Sequence, residues 1–247
     1  MSRKLHKFQT VAEYQAYSAS TDYTTPCVAV VEENNVIYYD YGNNKPQLNY
    51  TDYKVSSKSL VSDGGDTYGR NEKLCLNYIP SGVTSLEDAF SNWSSLEEVT
   101  CEIPDGVTNM NSTFYGCSSL VKAPVIPDSV TNMPSTFNGC TSLVNAPEIP
   151  NGVINMPSTF QDCTSLVKAP VIPDSVTNMS YTFNGCTSLK EVTFLRTTPP
   201  RYNNTLYGCS KLETIYVPDS AVSAYKTATG WSAFASKIKP LSVKPSE

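Results

Sequence analysis

Along most of the chain the apolar positions follow neither of the two simple periods. Leu143, Ile149, Val153, Met156, Phe160 and Cys163 are separated by polar or turn-forming residues, whereas a helix returns its buried face every 3.6 residues and a strand every second residue. That spacing fits one closed turn of a solenoid, and the set then recurs. Six segments align: AFSNWSSL (89–96), TFYGCSSL (113–120), TFNGCTSL (136–143), TFQDCTSL (159–166), TFNGCTSL (182–189) and TLYGCSKL (205–212). The first step is 24 residues and each later step 23. Two further signatures travel with them. One is Ile79-Pro80, Ile103-Pro104, Ile126-Pro127, Ile149-Pro150 and Ile172-Pro173; the other is Val-Thr-Asn-Met at 107–110, 130–133 and 176–179, with Val-Ile-Asn-Met at 153–156. A fixed period in this range marks a repeat array, in which each unit buries its inner face only against its neighbours.

Each unit is expected to hold a short strand around Leu143–Ile149, a Pro-Asn-Gly or Pro-Asp-Ser corner, and an irregular or helical-turn segment around Pro157–Cys163. Pro124, Pro147 and Pro170 bring no amide hydrogen to a ladder, which keeps the strands short or irregular. Phe114, Phe137, Phe160 and Phe183 face inward with the following cysteines and leucines, while Asn138, Gly139 and Thr141 make the bend.

Both ends depart from the repeat. In TIYVPDSAVSAYKTATGWSAFASKI (214–238), Asp219 or Ser220 caps a helix through 221–228, and Trp231, Phe234 and Ile238 supply an apolar stripe at i, i+3, i+7. This segment covers the open end of the array. Near the start, Thr10 to Glu13 fits a capping box opening a short helix toward Tyr17. PCVAVVEENNVIYYDYG (26–42) reads as a hairpin whose strands carry Val28, Val30, Val36 and Tyr38. Ten of the sixteen tyrosines precede residue 79, so this small module is compositionally distinct. It serves either as an attachment element or as the cap of the first repeat. The chain thus divides into a module with a junction loop (1–70), an array (71–217), and a helical cap with a tail (218–247).

Composition narrows the partners. The 247 residues are 40% hydrophobic and 17% charged, with net charge −5 and a pI of about 5.0. The clustered Lys and Arg that phosphate binding requires are missing, so nucleic acid is not an expected partner. The most apolar run, Val28–Val31, is too short to span a bilayer, and direct membrane insertion is not expected. After Arg3 and Lys4 the run LHKFQTVAEYQAY has no apolar core of an export signal.

Candidate chemistry is sparse. The single histidine, His6, sits in the basic start, leaving one imidazole for any nucleophile–base pair. Glu97 with Glu98, or Asp105 with Asp128, are the carboxylate pairs available for acid–base work, but such acids more commonly keep a surface solvated. SDGGDTYGRN (62–71) has the acids and glycines of a turn but neither the spacing nor the terminal glutamate of a calcium loop. Eight cysteines occur, at 27, 75, 101, 117, 140, 163, 186 and 209, without a Cys-x-x-Cys pair. Cys117, Cys140, Cys163, Cys186 and Cys209 occupy equivalent places, so they lie along a line and cannot converge on a metal. Stacked strands sit about 4.7–4.9 Å apart, whereas a disulfide wants about 3.8 Å between Cβ atoms turned toward each other. A ladder of buried thiols is expected, with Trp93 in the equivalent place of the first repeat. No metal or cofactor is expected.

The F-x-G-C-x-S-L core, the continuation LVKAPVIPDSVTNM (120–133 and 166–179) and the late repeat EVTFLRTTPPRYNNTLYGCSKLETIYVP (191–218) resemble the BspA-like leucine-rich repeat family over residues 74–238. The resemblance implies an α/β repeat fold: a leucine-rich-repeat solenoid with short strands, a small N-terminal helix–hairpin module and a helical C-terminal cap. It also implies a non-catalytic adhesion or binding role, on surfaces of gut and oral bacteria or in their phages. FQTVAEYQAYSASTDYTTPCVAVVEENNVIYY (8–39) is similar to modules that precede such repeats in gut bacterial and phage proteins.

The outward positions Lys122, Asn145, Glu148, Lys168 and Lys190 form a candidate binding surface, with Tyr115, Tyr181, Tyr202 and Tyr207 at Asn-, Ser- and Thr-rich corners. It suits hydrogen bonding to sugars or contact with a protein. The expected function is non-enzymatic display on a virion, as a capsid decoration or fibre-type accessory, because a Met1 start without an export signal fits that placement. The partners would be a host-surface glycan or protein and, through the N-terminal module, a virion or envelope component; a homo-oligomer is compatible with this. A bacterial cell-surface adhesin is the alternative, and a carboxylate-based glycan hydrolase or an intracellular scaffold ranks behind both.

Overall fold

Two kinds of strand pairing divide the chain. The computed structural model describes residues 79, 83–99 and 102–245 in full, together with the backbone of six strands before them. Five of these, β1 (Lys4–Phe8), β2 (Cys27–Val31), β3 (Val36–Asp40), β4 (Thr51–Ser56) and β5 (Ser59–Ser62), form one sheet in sequence order. β1 runs parallel to β2 and the other pairs are antiparallel. The hairpin expected at 26–42 is β2–β3, with Val31 opposite Val36, Val30 opposite Ile37, Ala29 opposite Tyr38 and Val28 opposite Tyr39. The helix expected from Thr10 to Tyr17 and the loop after Ser62 lie outside the described residues.

From residue 74 onward all pairing among the described residues is parallel, because each strand is followed by a full coil before the chain returns beside it. β6 (Leu74–Leu76) pairs with β7 (Leu96–Val99), while β8 (Lys168–Ile172), β9 (Glu191–Phe194), β10 (Thr214–Val217) and β11 (Ile238–Pro240) pair in that order. Between β7 and β8 two coils contribute one rung each: Glu98 bridges to Lys122, Lys122 to Asn145 and Asn145 to Lys168. The strand expected over Leu143–Ile149 is therefore reduced to a single residue. Pro124 and Pro147, two positions beyond those rungs, cannot donate to a ladder. Pro170 is tolerated inside β8 with a shift of register between Lys168 and Val171. A second ladder of single rungs joins Ser85, Asn109, Asn132, Asn155 and Asn178.

The bend segment has no regular structure, yet its backbone is paired as systematically as a strand. The amides of Met133, Ser135, Phe137 and Gly139 donate to the carbonyls of Asn155, Pro157, Thr159 and Gln161 in the next coil at 2.8–3.0 Å. Aiming every second amide the same way takes the chain into the left-handed region twice, at Ser135 (φ +52°) and Gly139 (φ +74°). The same two columns are left-handed in the other coils, at Asp88, Ser112, Ser158, Tyr181 and Asn204, and at Asn92, Gly116, Asp162, Gly185 and Gly208. The bend is thus set by Ser135 and Gly139, where Asn138 and Thr141 had been expected to share the work.

Inside, three columns fill the space between the ladders. Phe90, Phe114, Phe137, Phe160 and Phe183 stack with ring centroids 5.5–5.6 Å apart and planes within 17° of parallel. Burying each ring is worth about 2–3 kcal/mol, and stacking adds about 0.5–1.5 kcal/mol per pair. Beside them runs a buried threonine column. Thr136 Oγ1 lies 2.7 Å from the carbonyl of Met110 and 2.8 Å from that of Met133, and Thr159 Oγ1 lies 2.7 Å from those of Met133 and Met156. The cysteines form the third column.

The open end is closed by α1 (Val222–Thr227), three short 3₁₀ turns and β11. Trp231 donates Nε1–H to the Pro200 carbonyl at 2.7 Å and meets Phe194, Tyr225 and Tyr202 edge to face. Two expectations about this cap change. Asp219 makes no capping bond to the helix; its Oδ1 accepts the amide of Ser242 at 3.0 Å. Trp231, Phe234 and Ile238 are not one helical stripe, since the first two share a 3₁₀ turn and Ile238 begins β11. β11 is three residues long and ends in Pro240, which blunts the last edge against further pairing.

A Cβ at Gly139 would meet the Gly116 Cα at an ordinary 3.5 Å, whereas at Gly185 it would clash with Asp162 Oδ1. Alanine at either position costs about 1–2 kcal/mol for its left-handed backbone. Gly185→Ala is expected to cost more than Gly139→Ala, because Asp162 must also turn aside, and combining it with Asp162→Gly should remove the excess. Urea denaturation of these variants measures the difference; equal losses at the two glycines would contradict the packing.

Candidate binding surface

The recurrent cysteine is the residue nearest to chemistry in the sequence, and its surroundings are structural. Cys117, Cys140, Cys163, Cys186 and Cys209 are free and buried. Each Sγ–H donates to the phenylalanine carbonyl one coil back, to Phe90, Phe114, Phe137, Phe160 and Phe183 respectively, at 3.0–3.2 Å. The Phe137 carbonyl also accepts the Cys140 amide of its own coil at 3.1 Å, so the thiol fills the second lone pair of a buried acceptor as well as filling space. Burial pushes all five thiols up, with Cys209, at the rim, raised to about 12. The reactive species, the thiolate, is therefore suppressed at neutral pH. No group of three or more metal-binding side chains converges among the described residues.

The outward candidates separate onto different sides. Lys122, Asn145 and Lys168 are successive rungs of the strand ladder, between Glu98 and Glu191. Lys190 is exposed one residue before Glu191, and Glu148 is exposed three residues after Asn145, in the column that holds Val125 and Val171 in the flanking coils. These five share one side with an apolar column of exposed Val121, Val144 and Val167. Charge there is partly paired: Lys122 Nζ lies 3.0 Å from Glu98 Oε1, and Lys244 reaches from the tail to 3.8 Å from Glu191 Oε1. Glu98 is thus bound to a lysine, and Asp105 and Asp128 are exposed on successive coils.

Tyr115, Tyr181 and Tyr207 stand on the other side, on the bend segments, and are exposed. Tyr202 is half-buried in the cap, its ring against Trp231 and Phe234, and burial pushes its phenol up. Its role is packing, which the sequence did not distinguish from that of its neighbours. Tyr225 was missed altogether; it is fully buried, its hydroxyl donating to the Arg196 carbonyl at 3.1 Å. Its place in AVSAYKT, on the inner side of a short helix, was the available signal.

A column of parallel-runged coils with a 23-residue period defines the class: a solenoid of short-strand repeats. The model of the BspA type leucine-rich repeat region matches residues 68–180 and 155–239, in six copies, and the chain belongs to that family. Among solved structures, a leucine-rich repeat protein of T. pallidum is 22% identical over 67% of this chain and 80% of its own, with a TM-score of 0.52, which supports the shared fold. A leucine-rich repeat protein from Bacteroides ovatus is 19% identical over 87% of this chain and 75% of its own, with a TM-score of 0.28. A leucine-rich cell surface protein from Faecalibacterium prausnitzii is also 19% identical, over 79% and 69%, with a TM-score of 0.38. No curated protein matches the chain. Among the described residues, no helix is long and apolar enough to cross a membrane.

Two measurements follow from the thiol column. Maleimide labelling resolved by peptide mass spectrometry should mark Cys140, Cys163 and Cys186 only on the unfolding timescale, with Cys209 first among the five. Rapid labelling of the inner cysteines in native buffer would refute the ladder. Because the folded thiols hold their protons above their ordinary value of 9.0, their contribution to stability is complete below that pH and is lost as pH rises toward about 12, the value reached by Cys209. The melting temperature should therefore fall through this window, and fall less steeply when Cys140 and Cys163 are replaced by alanine.

Proposed function

We propose that the chain is a non-enzymatic binding and display protein, whose outward columns meet a host-surface glycan or protein and whose N-terminal sheet attaches it to a virion, as a capsid decoration or fibre-type accessory. One observation carries the binding role. The constant residues of the repeat's interior are engaged internally, threonine hydroxyls and thiols alike bonded to buried carbonyls, while several outward columns differ from coil to coil. Glu98, Lys122, Asn145, Lys168 and Glu191 occupy one such column. A constant interior beneath a variable exterior is how solenoids present extended recognition surfaces.

The sequence supports the absence of catalysis, since its one histidine leaves little for acid–base or nucleophilic work at neutral pH. Family membership supports placement at a surface, of a phage particle or, as the alternative, of a bacterial cell. Strand addition suits attachment through the N-terminal sheet: β1 and β5 are its outermost strands, each with one described partner.

Quantitative mass spectrometry of purified virions and of host envelopes tests the assignment. Recovery with virions in fixed stoichiometry is the expected result, and recovery with envelopes would move the protein to the cell surface. Recovery in cytosol alone, with no saturable binding of the labelled full chain to host cells, would overturn the display role.

A further inference from the structure

The bend side carries a second, chemically separate column. The residues that follow Phe114, Phe137, Phe160, Phe183 and the equivalent Leu206 are Tyr115, Asn138, Gln161, Asn184 and Tyr207. The five backbones are equivalent there. Each of these amides donates to the carbonyl three residues earlier, Tyr115 to Ser112, Asn138 to Ser135, Gln161 to Ser158, Asn184 to Tyr181 and Tyr207 to Asn204, at 3.0–3.1 Å. Their carbonyls accept the amides of Asn92, Gly116, Gly139, Asp162 and Gly185 from the coil before. The side chains are therefore held in register, one per coil, above phenylalanines whose centroids lie 5.5–5.6 Å apart.

The chemistry of this track is distinctive. Tyr115 and Tyr207 are 41% and 67% exposed at its two ends, and Tyr181 stands beside Asn184 in the same turn. The side-chain amides of Asn138 and Asn184 have no hydrogen-bonding partner among the described residues, in contrast to Asn132, whose Nδ2–H donates to Asn109 Oδ1 on the other ladder. Gln161 has only a long 3.5 Å contact with Asp162 Oδ2. Across the equivalent bend segments 111–119, 134–142, 157–165, 180–188 and 203–211 the charged residues are Asp162 and, at the far end beyond Tyr207, Lys211. The basic candidates Lys122, Lys168 and Lys190 all lie on the ladder side.

We propose that this track binds an extended, uncharged polysaccharide along the solenoid axis, with Tyr115 and Tyr207 stacking on sugar faces and the intervening amides bonding to ring hydroxyls. The coil spacing is close to the length of one pyranose unit, so successive sugars meet equivalent positions. Aromatic rings present a flat apolar face with little conformational entropy to lose, while primary amides both donate and accept, as a polyol requires. A polyanion finds no cluster of cations on the track, whose one basic residue is Lys211 at its end, and a protein partner finds only Asp162 and the partly exposed Tyr181 between the two ends. This inference rests on the binding role proposed above and names the ligand class for one side of the array.

Native affinity electrophoresis of the full chain through gels containing dextran, galactomannan, xyloglucan or yeast mannan tests it, with alginate and heparin as charged controls. Retardation by at least one neutral polymer is expected, insensitive to salt and weakened about tenfold by Tyr115→Ala or Tyr207→Ala. It should also weaken in the Asn138→Ala, Asn184→Ala double variant, while Lys226→Glu, exposed on the cap helix, leaves it unchanged. These side chains are outward, and unchanged melting temperatures would confirm that the variants fold. Retardation by charged polymers alone, by no polymer in the set, or equally in all variants would overturn the proposal. If the labelled chain still binds host cells in those cases, the display role stands and only the ligand class fails.

Discussion

A coil without helix or full strand has no partner within itself for most of its amides, and everything else in this array follows from that constraint. Every second amide of the bend donates to the coil ahead, and on the opposite side Thr131, Ile154, Thr177 and Lys190 donate to the coil behind. Buried backbone groups left unpaired would each cost about 1–3 kcal/mol, so a coil is stable only between two others. The 23-residue step is the sequence-level expression of that need, and the one 24-residue step still keeps the bend bonds of Asp88, Phe90 and Asn92 to the next coil.

The same constraint explains the unusual residues of the core. A carbonyl that points along the axis has a second lone pair, and the interior is too dry for water to fill it. Threonine and cysteine fill it from the following coil, at Thr136 for Met110 and at Cys140 for Phe114. The column is therefore not a generic hydrophobic one. Valine would keep the volume and lose the donor, which is why threonine immediately before phenylalanine can be fully buried without penalty.

Much of this was legible in the sequence, and the remainder was obscured for identifiable reasons. Phe137, Cys140 and Leu143 announce an inward face by recurrence alone. Thr136 recurs just as faithfully, but an isolated threonine reads as surface until its hydroxyl has an acceptor. Trp231, Phe234 and Ile238 imitate a helical stripe in spacing, yet the segment enters from Gly230 at φ +80° into a single 3₁₀ turn, and Ile238 pairs with Ile215 as a strand. The surface candidates were hardest to sort. Residue spacing identifies columns that point outward, but which columns share a side depends on the left-handed residues at Ser135 and Gly139. Lys122 and Tyr115 consequently fall on different sides, though only seven positions separate them.

The end of the array at β11 has a corollary for the protein's history. Because adjacent coils join through the same bonds, the length of the array is a quantised variable: coils can be gained or lost whole by unequal exchange between near-identical segments such as 136–143 and 182–189. The aromatic clasp around Trp231 need only recognise the last atypical coil, whatever number precedes it. Reach, and the number of ligand units spanned, can thus be adjusted in single-coil increments without redesigning either end.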